Sequence, residues 1–329
     1  MRSLMPIFLV LLLASSGALG QTDNASFDDH IASALQSLVA NSSASTESYR
    51  FFMDMEQKIE LVNLSKEDHQ QIYSRSIGFG MANMTDRALK LSLASLTYDE
   101  DDVANSSTIA IEEYLINDTI YMKLDGNWTA LKMPSVADAW SQQNTLEQQL
   151  NMFNQSHLTL EGSEMVEDEN CYKIRAEMDI STIADQLSKE TSSIMPLAGM
   201  NYTDLFNYTT LEATYWITKD AHQLKKTEVV QIFTLSPSSL GLNDTDAGEL
   251  EMRINSRVTM LFQGYNESIA IELPAEAEKA QLVPIFMASV EAVPVVISGN
   301  ETTLNATVVD TLKNQSDSDN STVQAAIPT

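Results

Sequence analysis

Cysteine is the scarcest residue in this 329-residue sequence: Cys171 stands alone, so no intrachain disulfide can form. The four histidines, His30, His69, His157 and His222, lie far apart with no H-x-x-x-H pair, which leaves a structural zinc or a zinc hydrolase without ligands. Glycine is sparse, and none falls in a G-x-S-x-G elbow, a P-loop or a dinucleotide fingerprint. Basic residues number 19 against 46 acidic ones, a formal charge of −27. Nucleic-acid binding needs clustered Lys and Arg to neutralise phosphates, so that class is excluded. Such a surface also repels anionic head groups and favours solubility. Beyond the N-terminus no run reaches the roughly 18 apolar residues of a membrane helix. The nearest, 282–298, is interrupted by Pro284, Glu291 and Pro294, so no integral membrane span is expected.

What is present points outward from the cytoplasm. Met1-Arg2 is a short positive start, Leu4 to Leu13 is almost unbroken apolar sequence, and Ala18-Leu19-Gly20 is a small-x-small site. This is the three-part layout of a secretory signal, with cleavage expected near Gln21; a retained anchor lacks its cationic stop-transfer flank. Sixteen of the twenty asparagines open an N-x-S/T acceptor triplet: Asn24, Asn41, Asn63, Asn83, Asn105, Asn117, Asn127, Asn154, Asn201, Asn207, Asn243, Asn266, Asn300, Asn305, Asn314 and Asn320. That density predicts a secreted glycoprotein; the alternative is an Asn/Thr-rich surface without glycans. An exported chain free of disulfides suits a microbial or archaeal cell surface, and a domain of this size can be held by its core alone.

Periodicity sets the fold class. Phe27, Ile31, Leu35 and Leu38 form a helical stripe. From Tyr49 the period changes. Leu89, Leu91 and Leu93 alternate with Lys90 and Ser92, and Leu250, Met252, Ile254, Val258, Met260 and Phe262 alternate with charged and polar residues. Such runs are antiparallel strands with one dry and one wet face. Further strands are predicted over 71–81, 108–116, 119–124, 171–178, 211–218 and 228–235, with turns at Asn117-Asp118, Asp125-Gly126-Asn127 and Lys219-Asp220. Helices are predicted over 134–153 and 180–194, with short helical turns near 204–206 and 275–280. The expected organisation is a leader over 1–20, one domain over 21–281, and a disordered, glycosylated Asn/Ser/Thr-rich tail over 282–329.

Three hairpin segments carry a resemblance. Tyr121-Met122-Lys123-Leu124-Asp125-Gly126-Asn127-Trp128 follows a Y-x-K-x-x-G-x-W pattern; Tyr215-Trp216-Ile217-Thr218-Lys219-Asp220-Ala221-His222-Gln223-Leu224-Lys225-Lys226 and Ile269-Ala270-Ile271-Glu272-Leu273-Pro274-Ala275-Glu276-Ala277 follow in order. Together they resemble the LolA-like and LppX-like lipoprotein-carrier superfamily, in its microbial and archaeal secreted branches, over most of residues 45–281. The resemblance implies an α+β, mostly β domain: a curved antiparallel half-barrel with helices across its concave face and an apolar cavity that holds acyl chains. It departs from the pattern at Lys225, where the superfamily has proline, and at His222-Gln223, where it has threonine; the N-terminal lipid-bearing cysteine is absent.

No motif calls for a catalytic residue, a metal or a cofactor. Cys171 with a distant histidine is formally a nucleophile pair, but its place on a strand reads as an inert thiol. The acids at 99–102, at 164 and 167–169, and at 244, 246 and 249 read as solvated turns, with calcium as the alternative. Methionines on dry strand faces suit flexible lipid tails and an ordinary core equally. The candidate cavity residues are Trp140, Leu146, Leu150, Phe153, Met122, Met252 and Met260. Two functions stand: a non-catalytic cell-envelope binder of a lipid, lipidated protein or other hydrophobic ligand, and a structural or interaction glycoprotein with a filled core.

Overall fold

Residues 27–63, 68–99, 106–124, 126–133, 135–177, 210–235 and 250–283 are described by the computed structural model. The predicted helix over 180–194, the turn at 204–206, the leader and the tail beyond Val283 lie outside them; Leu282 and Val283, expected in the tail, are in a strand. All of the described residues belong to one unit, Pro6–Ala288.

Alternating sequence becomes twelve strands: β1 Ser48–Asn63, β2 Asp68–Asn83, β3 Ala88–Asp99, β4 Ser107–Ile116, β5 Thr119–Leu124, β6 Asn127–Lys132, β7 His157–Val166, β8 Glu169–Glu177, β9 Thr210–Thr218, β10 Leu224–Leu235, β11 Leu250–Gln263 and β12 Gln281–Val283. They form one open, curved sheet in the order β12-β6-β5-β4-β3-β2-β1-β11-β10-β9-β8-β7. The fold is the mostly β half-barrel expected from the sequence. One pairing departs from a purely antiparallel sheet: β12 runs parallel to β6, Leu282 opposite Ala130. The chain reaches that edge through a 3-10 turn, Ala277–Lys279, whose Ala277 is fully buried.

Register places the apolar residues on one face. Phe51 stands opposite Gly80 on one side and Phe262 on the other, and the same row continues through Leu91, Glu113 and Met122. Rings of Tyr49, Phe51 and Phe262 pack with centroids 6.0–6.2 Å apart. Gly80 is there because Phe51 lies over it: a Cβ would come within 2.2 Å of the ring. Gly80→Ala is therefore expected to lower stability by about 2 kcal/mol through overpacking, measured by urea unfolding; an unchanged midpoint would show the ring free to move aside.

Three helices, α1 Phe27–Ala44, α2 Val136–Gln143 and α3 Thr145–Gln155, lie on this face. α2 packs on β4 and β5, and α1 reaches β7 and α3. Leu35 and Val39 of α1, Ala139 and Trp140 of α2, and Leu146, Leu150, Met152 and Phe153 of α3 join the strand residues in a single core. Gln36 ties α1 to the end of α3, donating to the Phe153 carbonyl at 3.3 Å. The helix predicted as continuous over 134–153 is two helices. The break is at Asn144, fully buried, whose Oδ1 accepts from the Glu147 amide at 3.3 Å and from the Tyr49 hydroxyl at 2.8 Å. A side chain that caps a new helix and fixes it to β1 outweighs continuing the old one.

Candidate functional site

The helix-facing wall of the sheet is the candidate site. Phe153 meets Tyr215 edge-on, with ring centroids 5.0 Å apart. Trp140, Leu146, Leu150, Phe153 and Met260 are buried in the common core, and Met252 packs against it partly buried. Met122 is half-buried on β5, between Glu113 and Thr129. All seven candidate residues thus share one side of the sheet. Leu146 and Leu150 also line a hollow of about 10 Å³, with Val39, Leu224 and Tyr265. That is room for about one water and not for an acyl chain.

The wall also carries polar groups. Ser76 donates to Ser95 at 3.0 Å, Thr97 donates to Ser74 at 3.2 Å, and the Ser74 and Ser95 hydroxyls meet at 3.3 Å, a buried hydroxyl cluster across β2 and β3. Other buried atoms have no partner among the described residues: Glu113 Oε1, the Tyr215 hydroxyl, Thr227 Oγ1 and Gln149 Oε1. Tyr215 and Thr227 sit side by side across β9 and β10. Burial alone pushes the Glu113 carboxyl up to about 7, and burial likewise raises the Tyr215 phenol far above its ordinary range. Glu113 and Asn144 were not singled out from the sequence. Both had a signal: Glu113 falls in phase with Ile111 and Leu115, and Asn144-Thr145-Leu146-Glu147 is a capping box.

Other sequence candidates resolve into structural roles. Cys171 is buried and donates to the Glu169 carbonyl at 3.6 Å; burial, then the nearby Glu169 charge, raises its thiol, the opposite of what a nucleophile needs. Glu167 and Glu169 hold the buried Lys225 ammonium at 2.8 and 2.7 Å, and Glu164 lies 3.5 Å from Lys173. Lys225, where the superfamily pattern has proline, stands at a bulge between Leu224 and Lys226. Among the described residues no three His, Cys, Asp or Glu side chains gather to hold a metal. No described helix is long and apolar enough to cross a membrane.

Of the sequons, Asn41, Asn117, Asn127, Asn154 and Asn266 are exposed. Asn83 is half-buried and its amide already donates to Asp86 at 2.9 Å and to the Ile269 carbonyl at 3.0 Å. The Asn63 side chain and the remaining sequons lie outside the described residues.

A curved, mostly antiparallel sheet with helices across a dry, partly polar wall defines the class: a half-barrel. The chain belongs to DUF6612, a family of unknown function, whose model matches residues 32–281. No curated protein matches. Among solved structures, the chain is similar to the lipoprotein LppX of Mycobacterium tuberculosis, at 12% identity and TM-score 0.36, covering 74% of this chain and 100% of that one. It is similar to LprF of Mycobacterium bovis at 12% identity and TM-score 0.36, over 74% and 97%. A putative outer membrane lipoprotein-sorting protein domain of Vibrio parahaemolyticus matches at 8% identity and TM-score 0.22, over 73% and 95%. The fold itself rests on the strand register.

Proposed function

We propose that this chain is a non-catalytic binder of a lipid or other hydrophobic ligand, working outside the cytoplasm at the cell envelope after removal of its leader near Gln21. Glycans on the exposed sequons and on the tail over 282–329 form its outer surface. The observation that carries the binding role is the wall: an apolar face roofed by α2 and α3 that nevertheless holds Tyr215, Thr227, Gln149 and Glu113 atoms without partners. A core filled for stability alone pairs its buried polar atoms, because each unpaired one costs about 1–3 kcal/mol. A binding interior leaves them for its ligand. The flexible methionines Met122, Met252 and Met260 let the wall adapt to a chain laid along it.

The test is uptake of a neutral apolar reporter, N-phenyl-1-naphthylamine, with native mass spectrometry of the protein purified from its source. Saturable uptake or a co-purifying lipid is the expected result. Neither one appearing would leave a structural glycoprotein with a filled core. Intact-mass measurement before and after deglycosylation checks the sequons: the Asn117, Asn127 and Asn154 peptides are expected to carry glycans and the Asn83 peptide none.

A further inference from the structure

Glu113 is the one acid placed in the dry row of the wall. Its neighbours in sequence, Glu112 and Tyr114, turn to the opposite face, where Lys90 lies 5.1 Å from the Tyr114 ring and 3.4 Å from Glu112. Lys123 faces the same way, 5.4 Å from the Trp128 ring. Around Glu113 itself stand Ile111 and Leu115 on β4, Leu91 across on β3 with Leu89 and Leu93 beside it, and Met122 across on β5 between Ile120 and Leu124. α2, which packs on β4 and β5, carries one ionisable residue, Asp138. Glu113 is 8% exposed, and its Oε1 has no partner among the described residues. Buried acids are ordinarily paired with a cation or a set of donors. In a chain of charge −27 whose neighbouring lysines all face outward, an unpaired acid on the dry face is a vacancy for an incoming donor.

We infer that Glu113 anchors the head of the bound amphiphile, accepting from an ammonium or hydroxyl and turning away carboxylate heads. The inference rests on the binding role proposed above and specifies the class of ligand. The apolar row on either side holds the chain, and the carboxylate oxygen takes the single polar contact. An ionised acceptor forms the stronger, shorter hydrogen bond, so selectivity is greatest where Glu113 has lost its proton. A carboxylate head would place two like charges together in a dry setting, which the wall cannot screen.

The experiment is displacement of N-phenyl-1-naphthylamine by dodecylamine and by dodecanoate, in about 0.15 M salt so that the general negative field is damped. At about pH 8.5 the wild-type protein is expected to favour the amine about tenfold, falling to near parity at about pH 5.5 as Glu113 takes up a proton. Glu113→Gln is expected to show near parity at both pH values. The wild-type pH comparison stands by itself if that variant does not fold. Reporter uptake with an amine preference that is flat in pH, or that survives Glu113→Gln, would overturn the anchor while leaving the binding role intact. No reporter uptake by the wild type would remove both.

Discussion

Asn144→Ala is expected to destabilise the protein by about 3 kcal/mol, seen as a lowered urea midpoint with an unchanged slope. The residue is wholly buried and its side chain serves three elements at once. Its Oδ1 accepts from the Tyr49 hydroxyl at 2.8 Å and from the Glu147 amide that opens α3, while its Nδ2 donates to Glu147 Oε2 at 2.9 Å and approaches the Met84 sulfur at 3.8 Å. Losing the cap costs about 1 kcal/mol. The larger share comes from Tyr49: its hydroxyl is fully buried, and burial holds the phenol far above its usual range, so a lost acceptor is not replaced by water. Tyr49 also accepts from the Leu146 amide at 3.2 Å, so the two residues form one unit. Tyr49→Phe is expected to cost less than Asn144→Ala, and the double variant less than the sum of the two. Additive losses would mean that the hydroxyl and the cap act independently.

How far the sequence carried the reading follows from the phase of each segment. β3 and β11 were legible because their apolar residues keep to one parity. β1 was blurred: Phe51 faces the core while Phe52, next to it, is 39% exposed on the outer face, so both parities read as apolar. β7 escaped notice because a bulge between Leu160 and Gly162 shifts the phase midway, leaving Leu160 and Met165 exposed. The three turns were read from local chemistry, and Asn117 indeed adopts φ 57°. The break between α2 and α3 carries no Gly or Pro; its local sign is Asn144 three residues before Glu147, while the Tyr49 hydroxyl that fixes it to β1 lies 95 residues away. Alternation along the strands and i,i+4 spacing along 134–153 gave Met122, Met252, Met260, Trp140, Leu146, Leu150 and Phe153, yet such patterns record only apolarity. They therefore passed over Glu113, the one in-phase residue that breaks the apolar row with a charge.

Glu113 gives the second large effect: between about pH 4.5 and pH 7 the wild type is expected to lose about 3 kcal/mol of stability relative to Glu113→Gln. Burial raises the carboxyl from its ordinary 4.5 to about 7 in the folded protein. Below the lower value both states hold the proton and there is no penalty. Between the two, the unfolded chain releases its proton while the folded one keeps it, so the unfolded state binds fewer protons and stability falls as pH rises. Above about 7 both are ionised and the loss is complete; the shift of about 2.5 pH units sets its size. Urea unfolding of both proteins across this range measures the difference, in which every other titrating group cancels. Parallel curves would mean that Glu113 meets water or a cation in the folded state. The same cycle links stability to loading: a cationic amphiphile held by Glu113 stabilises the ionised form, so dodecylamine at about pH 8 is expected to raise the stability of the wild type more than that of Glu113→Gln. Dodecanoate at the same concentration adds a second negative charge to the wild-type wall, and it is expected to stabilise Glu113→Gln more than the wild type.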